Sequence, residues 1–130
     1  MAIDYSGLDV TMVAAESLAA TQYRYVVQAS DTTVRMANAT TDIPLGILQN
    51  APANGGTAVV RVTGTSKLVM NAAVTVGTFV KCEYVGASDN GKGDAADTDK
   101  DVISGLCIKA SGAEDDVGAV ILTKGTLSAT

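Results

Sequence analysis

One phrase occurs twice in this chain, and it limits the possible folds more than any other feature. Gly46-Ile47-Leu48 runs through a small, turn-prone loop into Ala58-Val59-Val60-Arg61-Val62-Thr63. Later, Gly105-Leu106-Cys107 runs through a similar loop into Gly118-Ala119-Val120-Ile121-Leu122-Thr123. Ala51 and Ala110 match as well, and the second loop carries one extra residue. In each copy a short apolar run is followed by the alternation that a strand with one covered face requires. Asn54-Gly55-Gly56 tolerates positive φ and reverses the chain at low cost. Each copy reads as a β-hairpin, and two similar hairpins fit as pseudo-equivalent parts of one small barrel or sandwich. Chance similarity between Gly-, Ala- and Val-rich segments is the competing explanation. Where Arg61 becomes Ile121 the outward face turns apolar, so Ile121 is expected to be covered by the N-terminal segment or by a neighbour.

Further strands are expected on either side of the first hairpin. Tyr23 to Gln28 is rich in β-branched and aromatic residues, with Tyr23, Tyr25 and Val27 on one face, and Thr33 to Ala37 is its return. Pro44 fits the edge or the start of a strand, because it has no N–H for a ladder. Gly64-Thr65-Ser66 reads as a turn before the short strand Lys67 to Asn71. Thr78 to Tyr84 reads as a half-buried strand that sets Val80 and Cys82 against Lys81 and Glu83. The expected class is therefore all-β, a small Gly/Ala/Val-rich β-barrel or β-sandwich with an N-terminal arm.

The arm is residues 1–20, small and acidic, with a weak apolar stripe and either an extended or a short helical form. Residues 21–130 form a single β domain, since 130 residues suffice for one modest core. That core is thin, with one Phe, four Tyr and no Trp, so burial between subunits is expected to complete it. The tract at 86–101 holds Gly, Ala, Ser and Asp with little to bury, and is expected to be an exposed acidic loop.

A net charge of −5 with scattered Lys and Arg argues against nucleic acid or an anionic membrane as partner, because both reward clustered basic residues. No stretch approaches the apolar length needed to span a bilayer, and the N-terminus lacks the basic lead of a secretory signal. Cys82 and Cys107 lie apart in apolar runs and read as small hydrophobes in a reduced protein; their pairing is open.

No enzyme is expected. The chain has no His, which removes Ser-His and Cys-His nucleophiles and zinc sites of the usual kind. Gly91-Lys92-Gly93 lacks the spacing of a phosphate-binding loop. Asp97, Asp99 and Asp101 occupy the first, third and fifth positions of a calcium loop, but Val102 stands where the loop needs Gly and Ile108 where it needs Glu. No cofactor or metal is expected.

The phrases PLGILQNAPANGGTAVVRVTG, AAVTVGTFVKCEYVG and SGLCIKASGAEDDVGAVILT together resemble the capsid cement, or decoration, proteins of tailed bacteriophages. Ala72, Val74, Gly77 and Val80 carry the middle phrase, and Gly105, Ala110 and Val120 the last. The likeness spans about Pro44 to Thr123. Cys107 stands where the family commonly has a small Ala, and the acidic tract departs from its pattern. The resemblance implies a homotrimer made in the host bacterial cytoplasm and placed on the outer surface of the virion. There it bridges major capsid proteins without making or breaking bonds. The arm is the expected capsid contact, through Tyr5, Leu8, Val10, Met12, Val13 and Leu18, with Asp89 to Asp101 facing outward. The alternatives are a tail or head-completion component, a self-assembling surface β-module, and, with too few aromatics to favour it, a carbohydrate-binding module.

Overall fold

A computed structural model describes residues 5–39, 42–83, 89–98 and 101–127. Among these residues there are nine strands: β1 (Gly7–Ala14), β2 (Tyr25–Gln28), β3 (Thr33–Met36), β4 (Gly46–Leu48), β5 (Thr57–Val69), β6 (Phe79–Cys82), β7 (Gly93–Ala95), β8 (Val102–Lys109) and β9 (Val117–Thr126). They join in the order β1-β3-β2-β4-β5-β9-β8-β6-β7, and β1 also pairs with β5. That extra pairing closes β1, β3, β2, β4 and the first half of β5 into a ring. The second half of β5 opens another ring with β9, β8, β6 and β7, closed by a parallel bridge between Met70 and Gly93. The all-β expectation holds.

The rings repeat one another pair for pair. In the first, Val26 stands opposite Met36 and Gly46, Ile47 opposite Arg61, Leu48 opposite Val60, and Val10 opposite Val60 from the other side. In the second, Val80 stands opposite Ala95 and Gly105, Leu106 opposite Ile121, Cys107 opposite Val120, and Ser66 opposite Val120. The irregular bonds repeat too. Ala14 N–H donates to Gly56 O and Gly55 N–H to Ala14 O, as Met70 N–H does to Asp116 O and Asp115 N–H to Met70 O. Four of the six left-handed residues fall at equivalent places, Gly55 matched by Asp115 and Tyr23 by Gly77, whereas Gly64 and Gly91 have no left-handed counterpart among the described residues. The hairpin repeat visible in sequence is thus two-fifths of a five-strand repeat.

Inward positions fill each ring. Ala14, Leu18, Val26, Val34, Met36, Leu48, Ala58 and Val60 form one buried cluster. The other contains Leu68, Met70, Val74, Val80, Cys107 and Val120, the counterparts of Met12, Ala14, Leu18, Val26, Leu48 and Val60, with Tyr25 and Ile47 added from the first ring.

Three expectations change. Residues 7–14 are a strand inside the first ring, paired with both β3 and β5, because Val10, Met12 and Ala14 alternate inward while Asp9, Thr11 and Val13 face out. Read as an arm, the segment hid its period of two behind short, weakly apolar side chains. Gly64-Thr65-Ser66 is no turn: β5 passes through it, with Gly64 at φ +94. A Cβ on Gly64 would strike the carbonyl oxygen of Ser6, so glycine serves close approach there. The middle of the 86–101 tract is β7, and Gly91, Lys92 and Gly93 are buried. Positions 86–88 and 99–100 lie outside the described residues.

Candidate interaction surfaces

Among the described residues, the junction between the rings is a surface with its occupant in place. Tyr23 O accepts from Val69 N–H at 2.9 Å, and Tyr25 N–H donates to Gly91 O at 2.8 Å, so the chain entering β2 is bonded between β5 and the approach to β7. Arg24 Nη1 donates to Asn90 O at 3.3 Å. The Lys67 ammonium lies 5.6 Å from the Tyr23 ring and 5.7 Å from that of Tyr5. Tyr25 and Ile47, which point away from their own ring, are fully buried against the second. At Gly91, φ is +78 and a Cβ would meet Met36 and the Tyr25 carbonyl, so this contact depends on glycine.

Each half of that junction has an unused counterpart. The equivalents of Tyr23, Arg24, Tyr25 and Ile47 are Gly77, Thr78, Phe79 and Leu106, and here Phe79 is 45% exposed, beside Val76 at 65% and Ile121 at 42%. Phe79, Leu106 and Ile121 are directly cross-paired, which sets them in one row. Ile121, expected to be covered, is open in the chain alone. The equivalents of Lys67, Val69, Asn90 and Gly91 are Thr11, Val13, Asp31 and Thr32. They line a groove of about 380 Å³ together with Met12 and Thr57. In this groove Val13 N–H donates directly to Thr32 O at 2.9 Å, closing the seam that Tyr23 to Tyr25 occupies in the second ring.

The six residues expected to contact a capsid do not form one face. Leu8 and Val13 are exposed, Tyr5, Val10 and Met12 are half-buried, and Leu18 has no exposure at all. Val10, Met12 and Leu18 belong to the first core or pack on it. Leu18 is therefore withdrawn as a contact residue, since the period that makes it core also turns it from solvent.

Instead of an outward acidic face, the tract supplies a buried cation. The Lys92 side chain is 3% exposed, and its ammonium reaches Asp89 at 2.7 Å, Asp115 at 2.6 Å and Glu114 at 3.6 Å. Burial by itself would lower the Lys92 pKa, but hydrogen bonds to Asp115 and Asp89 outweigh it and hold the value above the ordinary one. The bond from Lys92 in turn lowers Asp89. This cluster ties the approach to β7 to the β8–β9 loop. Asp101 accepts from the N–H groups of Asp97 and Thr98 and faces Lys81 at 3.4 Å. Asp97 and Asp101, the first and fifth positions of the calcium-loop alignment, are thus engaged locally, and Asp99 lies outside the described residues.

A cleft of about 240 Å³ lies between the rings, lined by Tyr25, Pro44, Val62, Ser104, Leu122 and Lys124. Lys124 Nζ crosses it to donate to Pro44 O at 2.7 Å. The Tyr25 hydroxyl is buried without a hydrogen-bond partner among the described residues. Burial, then the nearby Cys82, pushes its pKa well up. Cys82 and Cys107 are free thiols. Burial, with Asp42 and Glu83 adding to it, pushes Cys82 up to about 12, which leaves little thiolate at neutral pH. Among the described residues no group of three or more His, Cys, Asp or Glu is placed to hold a metal ion.

No family model matches the chain, and no curated protein matches it significantly. Among solved structures it is similar to the head fiber gp8.5 N base in bacteriophage phi29. The two share 15% identity over 94% of this chain and 98% of that one, with a TM-score of 0.65. At that identity the likeness is one of fold.

Proposed function

We propose that the chain is a non-enzymatic structural component of a bacteriophage head, a decoration protein that binds the assembled shell from outside and braces neighbouring major capsid proteins as a homotrimer. The observation that carries this reading is the end-to-end likeness of both rings to the base of a phage head fiber. It agrees in kind with the resemblance of the Pro44 to Thr123 phrases to cement proteins. The same likeness favours a second reading, in which the chain is the base of a head fiber and anchors a projecting structure to the shell. Both readings need binding and neither needs catalysis.

Of the residues first considered for the shell contact, Leu8 is the best placed, at 59% exposure on the edge of β1. Deleting residues 1–18 would remove strand β1 from the first ring and so test folding instead of binding. Leu8→Asp is the cleaner variant. Mixed with empty capsids, the wild-type protein should co-sediment, and Leu8→Asp should co-sediment at least tenfold less while keeping its native circular dichroism. Failure of the wild type to bind shells of any maturation state would end the decoration reading.

A further inference from the structure

The rings carry the same two surfaces in the same registers, and among the described residues one of each is used internally. The projecting face of the first ring, Tyr23 to Tyr25 with Ile47, meets the receiving edge of the second, formed by Lys67, Val69, Asn90 and Gly91. Left over are the projecting face of the second ring, around Phe79, and the receiving groove of the first, lined by Thr11, Val13, Asp31 and Thr32. We infer that these two surfaces bind each other between copies, so that the Phe79 face of one copy seats in the Val13 groove of the next.

Three observations support a second copy as the occupant. The internal junction shows that a face of this register buries its aromatic residue completely when a ring of this fold lies against it. The Phe79 face is apolar where an exposed strand would ordinarily be polar: Val76, Phe79 and Ile121 are all open, and Ile121 replaces the Arg61 of the first ring. The groove offers an apolar floor, because Val13 is 42% exposed within it. The two surfaces differ and sit on different rings, so the contact is heterologous. It closes into a ring of subunits if the rotation permits and otherwise extends as a filament. The Val13–Thr32 hydrogen bond keeps main chain out of the seam, so the contact is made by side chains and is weaker than the internal junction. This inference does not depend on binding to a shell.

Sedimentation velocity over a wide concentration range tests it, using the full chain and the exposed-site variants Phe79→Asp and Ile121→Asp, each checked for native circular dichroism. The wild type should gain mass with concentration, and each variant should move the association midpoint at least tenfold higher. Cysteine pairing then fixes the geometry. Thr78 and Asp31 are the counterparts of Arg24 and Asn90, which touch at the internal junction. Thr78→Cys mixed with Asp31→Cys should give a disulfide-linked dimer under mild oxidant, and neither variant alone should. A wild type that stays monomeric throughout excludes a second copy as the occupant. Association indifferent to Phe79→Asp, or self-linking of Thr78→Cys alone, overturns the proposed pairing.

Discussion

Tyr25 and Phe79 hold the same register position in two copies of one five-strand ring, yet Tyr25 lies at the centre of the molecule and Phe79 on its surface. Both precede an inward valine, both pair with an apolar residue of the next strand, and both follow a left-handed residue two positions back. Strand pattern alone therefore does not decide burial on the outer face of a ring. What decides it is whether another ring is stacked there. The first ring is covered by the second, and among the described residues nothing is stacked in the same way on the second.

The sharpest way to break this comparison is to truncate both aromatics. Tyr25→Ala should lower the unfolding free energy in urea by about 3–5 kcal/mol, the usual loss for a buried aromatic residue. Phe79→Ala should change it by less than about 1 kcal/mol in the dilute monomer. Equal losses would mean that the two faces are not the used and unused forms of one surface.

A second contrast lies on the receiving side. Gly91→Ala places a Cβ against the Tyr25 carbonyl at φ +78 and should destabilise by about 1–3 kcal/mol. Thr32→Ala, at the equivalent site of the open groove, should stay within about 0.5 kcal/mol. A similar tolerance at both sites in thermal unfolding would remove glycine from the account of the junction.

Charge separates the rings more gently. Lys92 sits among Asp89, Glu114 and Asp115, whereas its counterpart Thr33 shares a hydroxyl bond with Ser30. The folded pKa of Asp89 is lowered, so its contribution is complete above its unfolded value of about 3.9 and is lost as pH falls through the folded value. That of Lys92 is raised, so its contribution is complete below about 10.4 and is lost as pH rises through the folded value. The urea midpoint should be flat across neutral pH and fall on both sides. Lys92→Met should shrink both limbs without abolishing either, because Asp42 is lowered and Lys81 raised by partners of their own. An unchanged pH profile in Lys92→Met would show that the cluster is electrostatically idle.

The last contrast should produce a gain. Tyr25→Phe gives the first ring the residue that the second already has and removes a buried hydroxyl without a partner among the described residues. It should raise stability by about 1 kcal/mol. A loss of that size would reveal a bound water or an unseen acceptor for the hydroxyl.

Much of the β framework was legible because Tyr23 to Gln28, Ala58 to Thr63 and Gly118 to Thr123 carry β-branched residues in alternation. The repeat was legible only where both copies kept Gly and Val, at β4–β5 and β8–β9. It was hidden elsewhere because equivalent positions carry residues of different type: Val34 against Gly93, Met36 against Ala95, Gly55 against Asp115. Strand β7 escaped notice because Gly93-Asp94-Ala95 has no apolar alternation, and its neighbours cover it without needing large side chains. The surfaces were less legible still. Val13 and Leu18 looked alike as apolar members of one segment, but only register against β3 and β5 tells which faces water. Lys92 looked like a solvated charge, and its burial depends on Glu114 and Asp115, which lie far along the chain and come near only through ring closure.

Strand β5 belongs to both rings, and this has a consequence for the order of assembly. Residues 57–63 complete the first ring using only chain that precedes them, whereas residues 65–70 must wait for β9. During synthesis the first ring can close while the second is still emerging. The second then grows on a strand whose near half is already fixed and on the Tyr25 face that is already in place. Folding should therefore run from the N-terminal end, with the finished half acting as a template for the second.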